Sequence, residues 1–520
     1  MGYGQPLESM QFPGMDLNLP TAEPSIEQGY LAPISNRILD SSVHPENGMA
    51  LVQDILLPVG LPSEPLLIEL TELFFTNFYD VFPCFHITTL MEQIRSQYLQ
   101  TQAPLLLFAI CALAARYHQD PSVRLSQNDW YEQAKFQYEL TQRDPHPALR
   151  AIQTAICLVF HAYTTGDFSA AWLFLGKAWR QACALGLNRI DTDQEGTFSL
   201  HRDEPRTDAE KEEHRRVLWL LFIIDRGHSW LTGWPHAIND RQFKVDIPVD
   251  EAAFQAMTSE TFGNQKPAPF TYNLNSLIHG SSVAIKPLNL FHYLAVAHVI
   301  LGRIVEQVYS LHDSPNSPEY AHGCDELDSY LAKFRLSLPR SAISLLEASS
   351  NTRSHVVWLN TVLNTMTILL HYRPAKLSEP NSEGQNISAE ANDHFAHAVI
   401  AAKNIVKVVK DASHASIDSV LSAHLGSSFY LASTVLVIRW RQTGDPTLKE
   451  DIDILDLVFD RFNEVYSFLG LKFKLALQHD LARSPESIAK LWRLGFRGLL
   501  ADCSKWTYVQ EAVAGKGAAL

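Results

Sequence analysis

The chain has 520 residues, of which 46% are hydrophobic, and its formal net charge at neutral pH is −15. A chain of this length and composition can bury a large core without disulfides or metal ions. The acidic balance argues against nonspecific binding of nucleic-acid phosphates by the chain as a whole.

Residues 1–65 differ in composition from the rest of the chain. They hold nine of the 27 prolines and a single basic residue, Arg37, among several acidic ones. Short apolar clusters interrupt this polar sequence, which indicates a disordered acidic and hydrophobic arm. The arm has neither the basic region nor the apolar run of a secretory signal. Two interpretations of it stay open, a solvated tail and an interaction segment.

From residue 66 onwards the apolar residues follow a helical period, and strand-like alternation is scarce. The pattern predicts an all-α class, a multi-helix array of antiparallel helix pairs over residues 66–502 with a C-terminal tail at 503–520. No apolar run approaches the roughly 20 residues that cross a bilayer, so no membrane contact is predicted. Helices are expected at 68–82, 104–118, 151–166, 167–186, from 208, and at 286–312, 323–337, 354–372, 389–412, 417–442, 450–469 and 484–502.

One of these helices carries both a start and a stop signal. Asp167 or Ser169 can cap its amino terminus, and Gly186 is placed to end it. Gly176 leaves a small gap between two tryptophans of the same helix. We expect a neighbouring helix to approach closely at this gap.

The next helix contains the apolar stretch VLWLLFII, residues 217–224, which includes Trp219. This stretch is apolar on all sides, which suits a central helix that is packed all round. The four charged residues that flank it are Arg215, Arg216, Asp225 and Arg226. We expect these charges to pair with each other or with facing helix ends and so to fix the register of the bundle.

A loop rich in glycine, proline and Asn-Asp follows this helix. It begins at Gly233 and Pro235, passes Asp240 and ends near Pro248. We expect it to fold back as a lid over the end of the helix bundle.

Four stretches of the sequence occur in an order and spacing that suggest a family. They are FYDVFPCFH (78–86), LLFAICALAARY (106–117), AWLFLGKAWRQACALGLNR (171–189) and the helix with its loop (212–248). Together they resemble the regulatory middle homology region of fungal zinc-cluster (Zn2Cys6) transcription factors, as in regulatory domains of the xylanolytic-activator type. MTILLHYRP (366–374) looks like the leucine-rich segment of that family, which ends in Arg-Pro.

The resemblance implies a nuclear transcriptional regulator of a pathway-specific gene set, without enzymatic activity. Secondary-metabolite genes are slightly favoured over nutrient-use genes as its targets. The implied partners are DNA, transcriptional coactivators, family members in a homo- or heterodimer, and a small-molecule effector. The helical region would act through a conformational equilibrium that masks or exposes the arm.

The family's DNA-binding module, a six-cysteine motif that holds two zinc ions, has no match in this chain. The six cysteines here are widely spaced and form no CxxC pair, which is typical of reduced core residues. Zinc is therefore expected only if such a module lies upstream, and no cofactor is expected in the chain itself. DNA would be reached through that module or through a partner. The alternative is a DNA-independent scaffold, or a dominant-negative partner of a complete zinc-cluster factor.

A remote alternative is an all-α metal-dependent enzyme. GHSWL (227–231) nearly matches a serine-hydrolase elbow, but it lacks the last glycine and the preceding strand. DIDILD (451–456) lacks the adjacent aspartates of a diphosphate site. Glu390, His394 and His397 share one helix face and could present ligands to a metal, although an amphipathic helix explains them more simply.

Five tryptophans suggest a pocket for a small effector molecule, although such residues more often belong to the core. They are Trp172, Trp179, Trp219, Trp230 and Trp234. The sequence itself does not identify a ligand.

Overall fold

The computed structural model describes residues 60–141, 148–192, 207–258, 266–282, 288–374 and 389–517. Regular structure in these ranges is helical, apart from one antiparallel bridge between Ile247 and Ala268. The predicted all-α class is therefore confirmed. Most of the acidic arm, through residue 59, lies outside the described residues.

The described residues form helices that are named here in chain order. In chain order they are α1 (Glu64–Phe78), α2 (Ile87–Arg95), α3 (Tyr98–Gln102), α4 (Pro104–Ala114), α5 (Pro121–Leu125), α6 (Gln127–Leu140), α7 (Ala148–Thr165), α8 (Phe168–Ala184), α9 (Asp208–Thr232), α10 (Glu251–Gln255), α11 (Leu274–Ser282), α12 (Leu290–Val308), α13 (Pro318–Ser337), α14 (Arg340–Ile343), α15 (Arg353–His371), α16 (Ala389–Ser413), α17 (Gly426–Thr443), α18 (Pro446–Val465), α19 (Ser467–Ala482), α20 (Pro485–Ala501) and α21 (Ser504–Gly517). No helix in the described ranges is both long and apolar enough to span a bilayer.

Local side chains set the ends of the two helices that matter most for the site. The Asp167 carboxylate accepts a hydrogen bond from the backbone N–H of Ala170 at 2.9 Å and caps α8, and Gly186 follows the helix with a φ of +73°. The Thr207 hydroxyl accepts from the N–H of Glu210 at 3.1 Å and caps α9. Side-chain oxygens satisfy backbone donors that the first turn of a helix leaves unpaired.

Helix α9 lies inside the array, in contact with α7, α8 and α12. Residues 217–223 are each at most 2% exposed, so the apolar stretch is covered on every side. From there α12 packs on α15, α15 on α16, and α16 on α17. All six cysteines are described, none forms a disulfide, and four of them are buried.

The structure differs from the sequence prediction in several helices. The predicted helix at 417–442 begins only at Gly426, after two 3-10 turns. Several helices lie where none was expected, and among the longest of them are α6 and most of α19. The expected C-terminal tail is instead largely the helix α21. Tertiary contacts explain this last difference, because Lys505 is buried and donates to the carbonyl of Leu499 at 2.9 Å, while Val509 packs into the core.

Candidate functional site

The charged residues at the start of the α9 core are buried in ion pairs. Arg215 forms two hydrogen bonds with the Asp191 carboxylate, at 2.8 and 2.6 Å, and a third with Glu212 at 3.1 Å. Asp191 and Glu212 also accept the backbone N–H groups of Asp246 and Val249, at 3.0 and 2.8 Å. Burial opposes ionisation of Asp191, but the hydrogen bonds and charge of Arg215, the N–H of Asp246 and the charge of Lys211 together outweigh it and hold the pKa of Asp191 below its usual value.

Arg216 joins three separate parts of the chain. Its side chain is 1% exposed and lies over the ring of Phe254, 4.3 Å from the ring centre. It donates to the carbonyl of Pro83 at 2.9 Å, to that of Val249 at 2.8 Å, and to Glu251 at 2.5 Å. Helix α9 is thereby fastened to the turn after α1 and to the start of α10.

Arg226 holds the other end of the α9 core. It pairs with Asp225 at 2.5 Å, donates to the carbonyl of Ile238 at 2.9 Å, and forms an ion pair with Asp240. Asp225 in turn accepts the N–H groups of Ala237 and Ile238 at 3.0 and 3.1 Å. All three charged side chains are buried. Asp225 depends on Arg226 for its charge partner, whereas Asp240 also forms an ion pair with Arg303 at 3.1 Å.

The segment from Gly233 to Pro248, called the return segment here, lies against the bundle along its length. Gly233 ends α9 with a φ of +72°. The carbonyl of Pro235 accepts from the indole N–H of Trp172 at 3.3 Å, and that of Pro248 accepts from the amide of Asn289 at 3.1 Å. These contacts, with those of Arg226, hold the segment against α8, α9 and the residue before α12. That it acts as a lid over the end of the bundle stays a prediction.

Four of the five tryptophans pack in or beside the return segment. Trp219 and Trp179 lie against Phe243, with ring centres 5.0 and 6.1 Å apart, and Trp172 lies 5.4 Å from Trp234. None of these four is among the residues that line the cavity described below. Their rings pack against other aromatic rings.

Close approach between helices occurs at a different glycine from the one expected. A Cβ on Gly176 would meet only Arg180 Nη1 of its own helix, at 3.0 Å, so the prediction of a close neighbouring helix there is wrong. A Cβ on Gly302 in α12 would lie 2.5 Å from Arg226 Nε. Gly302 therefore makes room for the buried guanidinium, a role that no local sequence signal indicated.

An apolar cavity lies beside α9, and the space in it that the centre of a water molecule can reach is about 100 Å³. Helix α9 lines it with Leu220, Ile223, Gly227, His228 and Trp230. The other walls come from α7, α12, α15, α17 and the turns at 81–82 and 423–425. None of the described residues that line it is Asp, Glu, Lys or Arg.

Three histidines line this cavity, and all three are held in the neutral form. Burial lowers the pKa of His228 and His298 to about 4 and that of His424 to about 3. His298 Nδ1 is 2.7 Å from the carbonyl of Leu294. Among the described residues, His228 Nε2 and both ring nitrogens of His424 find no hydrogen-bond partner.

Hydroxyl groups form a polar corner of the same cavity. Tyr163 Oη lies 3.0 Å from Ser427 Oγ, and Thr365 donates to Ser428 at 2.9 Å. Burial raises the pKa of Tyr163 to about 12, so this phenol stays neutral at neutral pH. The cavity thus offers neutral hydrogen-bonding groups within an apolar lining.

The buried histidines predict a loss of stability in acid. The pKa of His298 is about 4 in the folded chain, against 6.5 for an unperturbed histidine, because burial disfavours its charged form. Between these values the unfolded chain binds more protons than the folded one, so the free energy of unfolding falls as the pH is lowered. His298→Gln should reduce this dependence by about 1.4 kcal/mol per pH unit, the equivalent of one proton.

Urea unfolding at several pH values between 4 and 6.5 measures this effect. His322→Gln, at an exposed position, is the matched control and should leave the pH dependence unchanged. Identical pH dependence in the native chain and in both variants would contradict the assignment.

The residues considered for catalysis form hydrogen bonds or salt bridges within the fold. Ser229 is buried and its hydroxyl donates to the carbonyl of Asp225 at 2.8 Å, within the same helix. In the DIDILD stretch, Asp451 pairs with Lys410 at 2.7 Å, and Asp456 lies 3.6 Å from Lys474. These aspartates form a salt-bridged helix face.

The histidines considered as metal ligands lie in a cluster with His371. His371 Nδ1 is 3.0 Å from His394 Nδ1, its Nε2 is 3.3 Å from Asp328, and its ring centre is 5.1 Å from that of His397. The side chain of Glu390 lies outside the described residues. No group of three His, Cys, Asp or Glu side chains in the described ranges is arranged to hold a metal ion.

Comparisons with known proteins show which proteins this chain is similar to. Residues 71–336 match the model of the fungal specific transcription factor domain. The Zn(2)-C6 fungal-type transcription factor FTF1c of Fusarium oxysporum f. sp. lycopersici is 24% identical over 412 residues, which cover 75% of this chain and 42% of that protein. The pigment biosynthesis transcriptional activator pigB of Monascus ruber is 28% identical over 108 residues, 21% of this chain and 20% of that protein.

An uncharacterized transcriptional regulatory protein of Schizosaccharomyces pombe is 27% identical over 207 residues, which cover 37% of this chain and 20% of that protein. The chain thus spans less than half the length of each of these three relatives. The domain match covers more than half of the chain and includes α9, the return segment and much of the cavity wall. The chain therefore belongs to the fungal specific transcription factor domain family.

Proposed function

We propose that the chain is part of a nuclear regulator that controls transcription of a pathway-specific gene set. The match of residues 71–336 to the fungal specific transcription factor domain carries this proposal. Genes of secondary metabolism are favoured as targets, and the similarity to a pigment biosynthesis activator supports that preference. DNA would be reached through a zinc-cluster module upstream of these residues or through a partner that carries one.

The helical region would act as the sensing part of this regulator. Its cavity is bounded on one side by α7, α9 and α12, within the matched domain, and on the other by Trp358 and Ser428, beyond residue 336. A molecule bound there would contact both parts and would favour whichever arrangement of them it fits better. The acidic arm, with its apolar clusters, would contact coactivators in the exposed state.

Transcript profiling tests the proposal. Deleting the gene should change the transcripts of a limited set of genes, restoration with the full chain should reverse the change, and restoration without residues 1–65 should not. No change in any transcript on deletion would contradict the regulatory role and would favour a DNA-independent scaffold. Full rescue by the shortened chain would remove the arm from the mechanism.

A further inference from the structure

We propose that the cavity beside α9 binds an uncharged aromatic molecule that carries a hydroxyl group. The inference rests on the proposed regulatory function and adds the chemical class of its effector. It is carried by the absence of charged residues from the lining, by the aromatic rings of the lining and by the unpaired Nε2 of His228.

The lining excludes a charged ligand. None of the described lining residues is acidic or basic, and the nearby charges of Asp225 and Arg226 are already paired with each other. A carboxylate or an ammonium group in the cavity would lose its water without gaining a charge partner, which is strongly unfavourable. The three lining histidines do not supply that partner, because their lowered pKa values keep them neutral.

The rings around the cavity favour a flat aromatic ligand. Phe160, Trp230 and Trp358 all contribute to its walls. Trp358 already lies against the ring of His424, with ring centres 4.0 Å apart. Aromatic ligands gain from offset or edge contacts with such rings beyond the burial of their apolar surface.

His228 presents an unpaired ring nitrogen to the cavity. Its side chain is buried, and Nε2 has no hydrogen-bond partner among the described residues. In the neutral ring this nitrogen donates or accepts according to the tautomer, and a hydroxyl group can pair with it in either case. A buried polar atom without a partner is destabilising, and a ligand hydroxyl would satisfy it.

Binding of three naphthalene derivatives to the purified full chain at pH 7 tests the proposal. Quenching of tryptophan fluorescence, checked by calorimetry, would give the affinities for 2-naphthol, naphthalene and 2-naphthoate. We expect 2-naphthol to bind most tightly, with naphthalene and 2-naphthoate each weaker by about tenfold or more, as expected for one lost hydrogen bond or one buried charge. Equal or tighter binding of 2-naphthoate, or no binding of 2-naphthol, would overturn the proposal.

A matched pair of glycine variants locates the binding site. Gly227 lines the cavity and Gly280 lies in α11 away from it, and a Cβ on either would meet no atom within 4 Å. Methionine is a better helix former than glycine, so both variants should fold. Gly227→Met should weaken 2-naphthol binding at least about tenfold by filling the cavity, whereas Gly280→Met should bind like the native chain. Unchanged binding in Gly227→Met would contradict the location.

A third variant tests the hydroxyl contact, and transcripts separate the two proposals. His228→Phe should abolish the preference for 2-naphthol over naphthalene, and a preserved preference would overturn the role of Nε2. If 2-naphthol binds as described but gene deletion changes no transcript, the ligand class stands and the regulatory function fails. If deletion changes transcripts but 2-naphthol does not bind, the regulator stands and the ligand class fails.

Discussion

Replacing Arg226 by methionine should lower the free energy of unfolding by about 3–5 kcal/mol. The guanidinium is fully buried between Asp225 and Asp240 and donates to the carbonyl of Ile238. Methionine fills a similar space but leaves Asp225, which is 1% exposed, without a cation. A buried charge that has lost its partner is far less favourable than the intact pair. Urea unfolding followed by circular dichroism measures the change.

Arg461→Met is the matched control for this prediction. Arg461 pairs with Glu464 at 2.8 Å on the surface of α18, where both side chains are more than half exposed. Such pairs contribute little, so the control should change stability by less than about 1 kcal/mol. A loss in Arg226→Met no greater than that of the control would show that the ion pairs of α9 do not hold the return segment. Adding Asp225→Asn to Arg226→Met should recover part of the loss.

Gly495→Ala should destabilise the fold by about 3 kcal/mol or more. Gly495 lies in a kink of α20 with φ +67° and ψ −166°, a conformation that is essentially open to glycine alone. A Cβ there would come within 2.6 Å of Pro374 N and 2.7 Å of the Arg373 carbonyl carbon. These are backbone atoms of the Arg-Pro segment after α15, and they cannot move aside as a flexible side chain can.

Gly444→Ala is a control at a glycine in the ordinary left-handed region, with ψ +12° instead of −166°. Gly444 also has a φ of +67°, but no atom lies within 4 Å of the position a Cβ would take. The Gly444→Ala variant should therefore lose only about 1–2 kcal/mol of its free energy of unfolding, the cost of a left-handed backbone for alanine. Thermal and urea unfolding of both variants measure the difference. Equal losses in the two variants would contradict the close packing of α20 on the Arg-Pro segment.

The sequence predicts the helices better than it predicts their contacts. Helical periodicity and local caps locate α8 and α9, because these signals depend on neighbouring residues. The partners of Arg216 include Pro83 and Glu251, which are far from it in sequence and meet it only in the folded chain. No local sequence pattern indicates that these residues are the partners of Arg216.

The cavity could not be predicted from the tryptophans for the same reason. Trp219 and Trp179 are drawn into contact with Phe243, and of the five only Trp230 lines the cavity. The sequence does carry one local signal for the cavity. Gly227 interrupts an otherwise strong helix, where glycine is about 1 kcal/mol less favourable than alanine. A glycine kept in such a place often has a packing or functional reason, and here it leaves the cavity open.

Genome-wide occupancy of a tagged copy, expressed from its own locus, tests the regulatory function most directly. Discrete peaks are expected at promoters of the genes whose transcripts change on deletion. A binding motif of the zinc-cluster type under those peaks would indicate that DNA is reached through a zinc-cluster module. That module would lie either upstream in this protein or in a partner. An absence of peaks, with the protein in the cytoplasm, would contradict a role at promoters.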